Sequence, residues 1–329
     1  MLSDDRARRA LAALRRFPCR TLGRYPTPID PLDRFGRRAG IPQRLFVKRD
    51  DAISFGFGGN KVRKLQYVLP SIVASGADTV ITCGGVQSNH VRATAAAATA
   101  AGLDCHVVVN GTAPTPPTGN ALLDRLYGAT FEYVSAREER APAMERAAAR
   151  LRAEGRRPAI VPLGASTPHG ALGYVAAIGE MLDQGLRPDL IVHACSSGGT
   201  SAGLLAGCAV HGLDAAVIGI SADDPPAAVE TAVRSILRGL GELLEIGPAL
   251  ESSIRVQVDD AFVGPGYGEP TPASREAAEL MARAEAIVVD HSYTAKATAG
   301  LLDYCRSRRI GADATVLFWH TGGQVALFA

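Results

Sequence analysis

The sequence predicts an α/β protein built on mainly parallel sheets flanked by helices. Three observations carry that prediction. Short β-branched runs alternate with longer Ala- and Leu-rich segments from about Leu45 onward, the signature of strand, helix, strand around a parallel sheet. Polar or glycine-rich turns open several of the helical segments, as ligand-binding turns do at the carboxyl ends of strands. A chain of 329 residues with 47% hydrophobic and 21% charged residues is large enough for a generous core, in one large or two modest domains, with two preferred.

The expected strands, in order, are RLFVKRD, DTVITCG, CHVVVNG, TFEYVS, AIVPLG, LIVHACS, AVIGISA, IRVQVDD, AIVVDH and TVLFWHTG. Each is short, β-branched or aromatic and bounded by polar or glycine-containing turns. Between them SNHVRATAAAATAAG and TSAGLLAGCAVHG read as helices. TAPTPPTGN at residues 112–120 reads as a surface loop, because its Pro and Gly oppose a helix.

Composition excludes several function classes. Lys+Arg 35 and Asp+Glu 33 nearly cancel, so no strong field favours nucleic acid or an anionic membrane. No apolar stretch reaches spanning length, so membrane insertion is not expected. The Arg- and Ala-rich N-terminus has the bias of an organelle transit peptide, but Asp4 and Asp5 argue against one, and a surface amphipathic helix is expected instead. The six cysteines, Cys19, Cys83, Cys105, Cys195, Cys208 and Cys305, form no CxxC pair. They read as reduced thiols of a cytoplasmic protein with no metal site.

Three segments carry chemistry. In Ser54–Lys64 a glycine-rich turn runs into a helix bearing Lys61 and Lys64, whose spacing puts both ammonium groups on one face. One amine suits a carbonyl and the other an anion; solvated lysines at a helix start are the plainer alternative. In Cys83–Arg92 the polar run Gln87, Ser88, Asn89, His90 opens an Ala-rich helix, where unpaired N–H groups favour a carboxylate and simple capping is the alternative. In His193–Gly203 a strand ends in a Ser/Gly/Thr turn at another helix start. That is a phosphate cradle, and without a Walker lysine or GxGxxG order it favours a phosphate-bearing cofactor over a nucleotide.

These segments, together with GASTPHGALGY at 164–174, GPGYG at 264–268, DHSYTAKATAGL at 290–301 and the late FWHTGG, resemble the fold-type II pyridoxal-phosphate (PLP) enzymes. Within them the sequence resembles the branch shared by D-cysteine desulfhydrases and 1-aminocyclopropane-1-carboxylate (ACC) deaminases. The resemblance spans nearly the whole chain and implies a tryptophan-synthase-β-like fold with two open twisted sheets. It implies a large domain of residues 1–55 and 170–329, a small α/β domain inserted at 56–169, and a homodimer.

The resemblance also implies roles. Lys61 would carry the cofactor and move the α-proton, while Lys64, Ser197, Gly198, Gly199 and Thr200 would hold its phosphate. Asn89 would meet the ring hydroxyl, and Gln87, Ser88, Asn89 and His90 would line the substrate carboxylate pocket. Ser88, Tyr267 and Tyr293 would serve catalysis; the alternative for each tyrosine is a packed aromatic with a satisfied hydroxyl. Family members that open the cyclopropane ring typically have an acid at the position of Thr294 and an aliphatic residue at that of Thr321. Two threonines imply a weaker electron sink suited to an easier leaving group, such as a thiol titrating at about 8.5. The implied function is β-elimination from a small amino acid, D-cysteine foremost, giving pyruvate, ammonia and sulfide. ACC deamination, elimination from cysteate or another S-substituted cysteine, and ligand binding without turnover are the alternatives. His193, Cys195, Pro272, Ser274 and Ala295 depart from the family pattern and suggest a branch with its own substrate.

Overall fold

The computed structural model describes residues 2–307 and 309–329. Its strands are β1 (Ile29–Pro31), β2 (Arg44–Arg49), β3 (Thr79–Gly85), β4 (Asp104–Asn110), β5 (Thr130–Val134), β6 (Pro158–Ile160), β7 (Leu190–Cys195), β8 (Ala216–Ser221), β9 (Val258–Asp259) and β10 (Thr315–His320). They form a six-stranded sheet ordered β1-β2-β10-β7-β8-β9 and a four-stranded sheet ordered β5-β4-β3-β6. Every pairing is parallel except that of β1 with β2.

Strands β7 and β10 are buried along their whole length, as central parallel strands covered on both faces must be. The pleat sorts their side chains. Ile191, Leu317 and Trp319 face a core built with the helices Pro168–Asp183, Gly199–Val210 and Pro226–Leu243. Val192, Val316 and Phe318 face the helices Pro272–Glu285 and Thr294–Arg306. In the smaller sheet Val80 and Val107 meet the helices Asn60–Ala74 and Asn89–Ala101, and Ile81 and Val108 meet Arg140–Ala153 on the other side. The N-terminal helix Asp4–Leu14 buries Ala10, Ala13 and Leu14, so its apolar stripe packs on the core beside the six-stranded sheet.

Four sequence expectations change. AIVVDH is not a strand: Ala286 ends the preceding helix at φ 56, the Val288 carbonyl is 3.0 Å from the His320 ring, and the Asp290 N–H bonds Thr294 Oγ1. Those backbone groups are spent on side chains rather than on a ladder. IRVQVDD contributes only Val258–Asp259, and Ile29–Pro31 adds a strand too short to announce itself. The loop expected at 112–120 ends at Thr118, where the helix Gly119–Leu126 begins, and Asn120 is fully buried. Among the described residues no helix is long and apolar enough to cross a membrane.

Candidate active site

A cavity of about 310 Å³ opens where β3, β7 and β10 end, lined by loops from both sheets. The turn before the lysine helix has four successive residues at positive φ, Gly56 to Gly59. A Cβ on Gly58 would lie 2.5 Å from the Asp51 carbonyl oxygen, so only glycine lets the turn close there. Arg92 fastens it, donating to the carbonyls of Phe57 at 2.9 Å and Gly58 at 3.0 Å. The helix then starts with the Asn60 N–H donating to the Thr321 carbonyl at 2.9 Å.

Lys61 and Lys64 reach the cavity from successive turns. Lys61 Nζ donates to Asn60 Oδ1 at 2.9 Å, and Asn60 Nδ2 donates to Thr200 Oγ1 at 3.0 Å. Burial first, and then the charge of Arg92, lowers the Lys61 amine to about 8. Lys64 is deeper, and among the described residues its amine meets only neutral oxygens, the Gly164 carbonyl at 3.1 Å and Ser166 Oγ at 3.2 Å. Burial and the neighbouring Lys61 push its pKa well below the usual lysine value.

Ser166 Oγ lies 2.8 Å from Ser197 Oγ, on the turn entering Gly199–Val210. A Cβ on Gly199 would stand 2.9 Å from Lys64 Nζ and 2.7 Å from Ser166 Oγ. A buried amine with no carboxylate partner among the described residues, beside a helix N-terminus and a glycine that admits close approach, fits a phosphate group. The residues present therefore suit a phosphate-bearing cofactor that also offers a carbonyl to Lys61.

Ser88 caps its helix, accepting from the Val91 N–H at 3.3 Å. Asn89 Oδ1 accepts from Asn120 Nδ2 at 2.9 Å, which fixes the amide's orientation. The His90 ring lies 2.7 Å from Thr82 Oγ1 and 3.4 Å from Thr94 Oγ1. Burial, with the charges of Lys61 and Lys64, holds its pKa well below the usual value, so the imidazole is neutral. Tyr267 and Tyr293 enter the cavity together, and Thr321, just past the end of β10, lines it as well.

Eleven of the sequence-predicted residues line this one cavity: Lys61, Lys64, Ser88, Asn89, His90, Ser197, Gly198, Thr200, Tyr267, Tyr293 and Thr321. Gln87, Gly199 and Thr294 do not. Gln87 is turned away, accepting from the Asn120 N–H and donating to the Thr118 carbonyl. Gly199 stands behind the turn against Lys64. Thr294 is fully buried, its hydroxyl donating to Asp290 Oδ1 at 2.7 Å and accepting the Asp290 N–H at 2.8 Å, which leaves little for a substrate. Conversely Asn110, Arg137, Arg140 and Asp223 line the cavity without any sequence motif to announce them.

A family model described as pyridoxal-phosphate dependent enzyme matches residues 20–322. A solved structure described as an ACC deaminase homologue is 35% identical, covers 97% of this chain and 96% of its own, and superposes with a TM-score of 0.90. Threonine deaminase isoform 2 from Solanum lycopersicum is 15% identical over 98% of this chain and 85% of its own, with a TM-score of 0.70. Diaminopropionate ammonia lyase from Escherichia coli is 14% identical over 98% of this chain and 88% of its own, with a TM-score of 0.64. At such identities the last two show a shared fold.

Proposed function

The chain belongs to the pyridoxal-phosphate-dependent enzymes, in the branch of D-cysteine desulfhydrases and ACC deaminases, and from that premise we propose that it is a lyase catalysing β-elimination from a small amino acid. D-Cysteine is the foremost substrate in this reading, giving pyruvate, ammonia and sulfide. The observation that carries the choice is electrostatic. Among the described residues the cavity lining holds one carboxylate, Asp223, and Arg137 pairs with it at 2.9 Å. The end of β10 offers the hydroxyl of Thr321 instead. A hydroxyl leaves a bound pyridine less electron-withdrawing than a carboxylate would, which suits a good leaving group such as a thiolate.

When bound, the cofactor supplies a carbonyl for the substrate amine and a ring that accepts the electron pair left at Cα. The protein's part is positioning and proton transfer. Lys61 holds the cofactor and takes the α-proton; its depressed pKa makes the neutral amine accessible near pH 8. Lys64, Ser197, Gly198 and Thr200 hold the phosphate, with Gly199 allowing the close approach. Asn89, aimed by Asn120, holds the ring hydroxyl, and Ser88 and Asn89 at a helix N-terminus receive the substrate carboxylate. The hydrogen-bonded phenols of Tyr267 and Tyr293 deliver a proton to the departing group.

This reading places the protein in the cytoplasm as a homodimer. It also treats residues 56–169 as a smaller unit inserted between 1–55 and 170–329, supported by the confinement of the four-stranded sheet to the stretch between Thr79 and Ile160. ACC ring opening is the second reading, favoured by the 35% identity to the ACC deaminase homologue.

The test is a screen of PLP-loaded protein against D- and L-cysteine, cysteate, β-chloroalanine and ACC, following pyruvate and 2-oxobutyrate. Pyruvate from D-cysteine is the expected result. Rapid 2-oxobutyrate from ACC without cysteine cleavage would reverse the ranking, and a yellow protein inert towards all five would leave only ligand binding.

A further inference from the structure

Two arginines line the cavity from the short segment leading into Arg140–Ala153. Arg137 is already spent, with Nη1 2.9 Å from Asp223 Oδ2 and Nη2 3.4 Å from Asp224 Oδ1. Arg140 is not. Its Nε donates to the Arg137 carbonyl at 2.9 Å, and among the described residues its guanidinium forms no ion pair. It also stands at the first position of a helix, where the macrodipole disfavours a cation. Among the described residues no carboxylate compensates it. The charge of Arg140 is felt by Tyr267, where it opposes the effect of burial on the phenol.

We propose that Arg140 recognises a second acidic group on the substrate, so that the preferred substrate is an amino acid with a carboxylate or sulfonate on its side chain. The inference rests on the elimination reading above but changes its first-ranked substrate: D-cysteine, whose side chain carries no oxyanion, gives way to an acidic amino acid eliminated by the same chemistry. The other anions of such a complex have their own partners there: the cofactor phosphate lies at Lys64, and the α-carboxylate at Ser88 and Asn89. An unpaired planar guanidinium is left, suited to two parallel hydrogen bonds with an oxyanion. Cysteate exemplifies the class. Its Cα–H and Cβ–S bonds break, Lys61 takes the proton, and sulfite leaves with the bonding pair. One water then converts the remaining enamine to pyruvate and ammonium.

The experiment uses aspartate and asparagine, which match in shape, differ in side-chain charge and lack a good leaving group. Each enantiomer is measured as an inhibitor of β-chloroalanine elimination by the holoenzyme and by its perturbation of the cofactor absorbance. Aspartate is expected to bind about tenfold more tightly than asparagine, the effect of about one charge-assisted hydrogen bond. Arg140→Gln should bring that ratio close to one, and Arg140→Lys should restore part of it. Equal binding of the two ligands by the parent protein overturns the inference, as does an Arg140→Gln variant that keeps the ratio. Absence of pyruvate from β-chloroalanine would instead defeat the elimination reading, and the absorbance titration would still decide the role of Arg140.

Discussion

The phenol oxygens of Tyr267 and Tyr293 stand 2.5 Å apart, with ring centroids 5.6 Å apart and planes crossing at 77°. The edge-on contact holds both rings while each hydroxyl supplies the other with a partner. Burial foremost raises both pKa values, that of Tyr293 well above the ordinary phenol, so both stay protonated at neutral pH. If they deliver the proton as a unit, Tyr267→Phe and Tyr293→Phe should each lower kcat about a hundredfold, and the double variant little further. The pH profile of kcat should show no tyrosine limb below pH 10, the ordinary value from which both are raised. Additive losses in steady-state kinetics would show that the phenols act separately.

Cofactor uptake should report the Lys61 amine. Its pKa is lowered from 10.5 to about 8 by burial and then by Arg92, and only the neutral amine attacks a carbonyl. After the cofactor is stripped, the rate of regaining the yellow absorbance should rise with pH up to about 8 and level off above it. The linkage has a definite sign. Between about 8 and 10.5 the unfolded chain binds more protons at this site than the folded one, so this site's contribution to the stability of the cofactor-free protein rises with pH across that window. Denaturant titrations at pH 7, 8 and 10 on parent and Lys61→Met protein isolate it, since the variant should lose that part of the slope.

The sequence made some of this legible and not the rest, for physical reasons. LIVHAC and TVLFWH read clearly because a strand covered on both faces must be apolar throughout. AIVVDH carries the same composition for another purpose, burying Ile287 and Val289 while Val288 remains exposed on the approach to a helix. The glycine turn before Lys61 and the Ser/Gly/Thr turn before Gly199 are local devices, so their chemistry shows in a few consecutive letters. Asn110, Arg140 and Asp223 line one cavity although they lie far apart along the chain, a relation that no local pattern encodes. The Thr294 contact is legible in the sequence, since Asp290 stands four residues before it at a helix start.

Lys64 should be a liability to the empty protein and an asset to the loaded one. Among the described residues its buried amine has no carboxylate partner, and burial lowers its pKa well below the usual range. Lys64→Met should therefore leave the cofactor-free protein as stable as the parent or more so, because an uncompensated buried charge is replaced by an apolar chain of similar length. The same change should weaken cofactor retention by about a hundredfold, the loss of one or two charge-assisted bonds to phosphate. Denaturation of both forms and equilibrium dialysis against PLP measure the two effects. A variant weakened in both states would show that Lys64 is chiefly structural.

A carboxylate at position 294 should not graft ring opening onto this protein. Thr294 exchanges two hydrogen bonds with Asp290 in a fully buried setting, so Thr294→Glu drives a second carboxylate against the first. A cost of about 3 kcal/mol is expected, the scale of an uncompensated buried charge, with no gain in ACC turnover. Urea denaturation and 2-oxobutyrate release test the pair of outcomes. A variant that kept its stability and opened ACC would mean that the Asp290 contact is readily surrendered.

The lysine helix itself is anchored by Arg63, and that anchor should set the acid limit of the fold. Arg63 donates to Asp50 Oδ1 at 2.8 Å through Nε and to both carboxylate oxygens of Glu180, at 2.9 and 3.0 Å. Glu180 also takes Lys48 Nζ at 2.6 Å, while Asp50 takes the Tyr174 hydroxyl and the Trp319 indole N–H, each at 2.7 Å. Two cations and two carboxylates thus tie the helix carrying Lys61 to β2, β10 and the helix Pro168–Asp183. Burial alone would raise the Glu180 pKa, but Arg63 and Lys48 overcome it and hold the carboxyl at about 2 rather than 4.5. A depressed carboxyl stabilises the fold above its unfolded pKa, so this contribution is complete above 4.5 and is lost as pH falls towards 2. Glu180→Gln should cost about 3 kcal/mol at neutral pH and flatten the stability profile below pH 5, the window in which the native carboxylate gives up its advantage. Because the ion pairs lie under the lysine helix, the variant should shed PLP together with its tertiary structure. Near-ultraviolet circular dichroism and cofactor absorbance followed through one acid titration would reveal a separation of the two events, which would place the cofactor's hold outside this network.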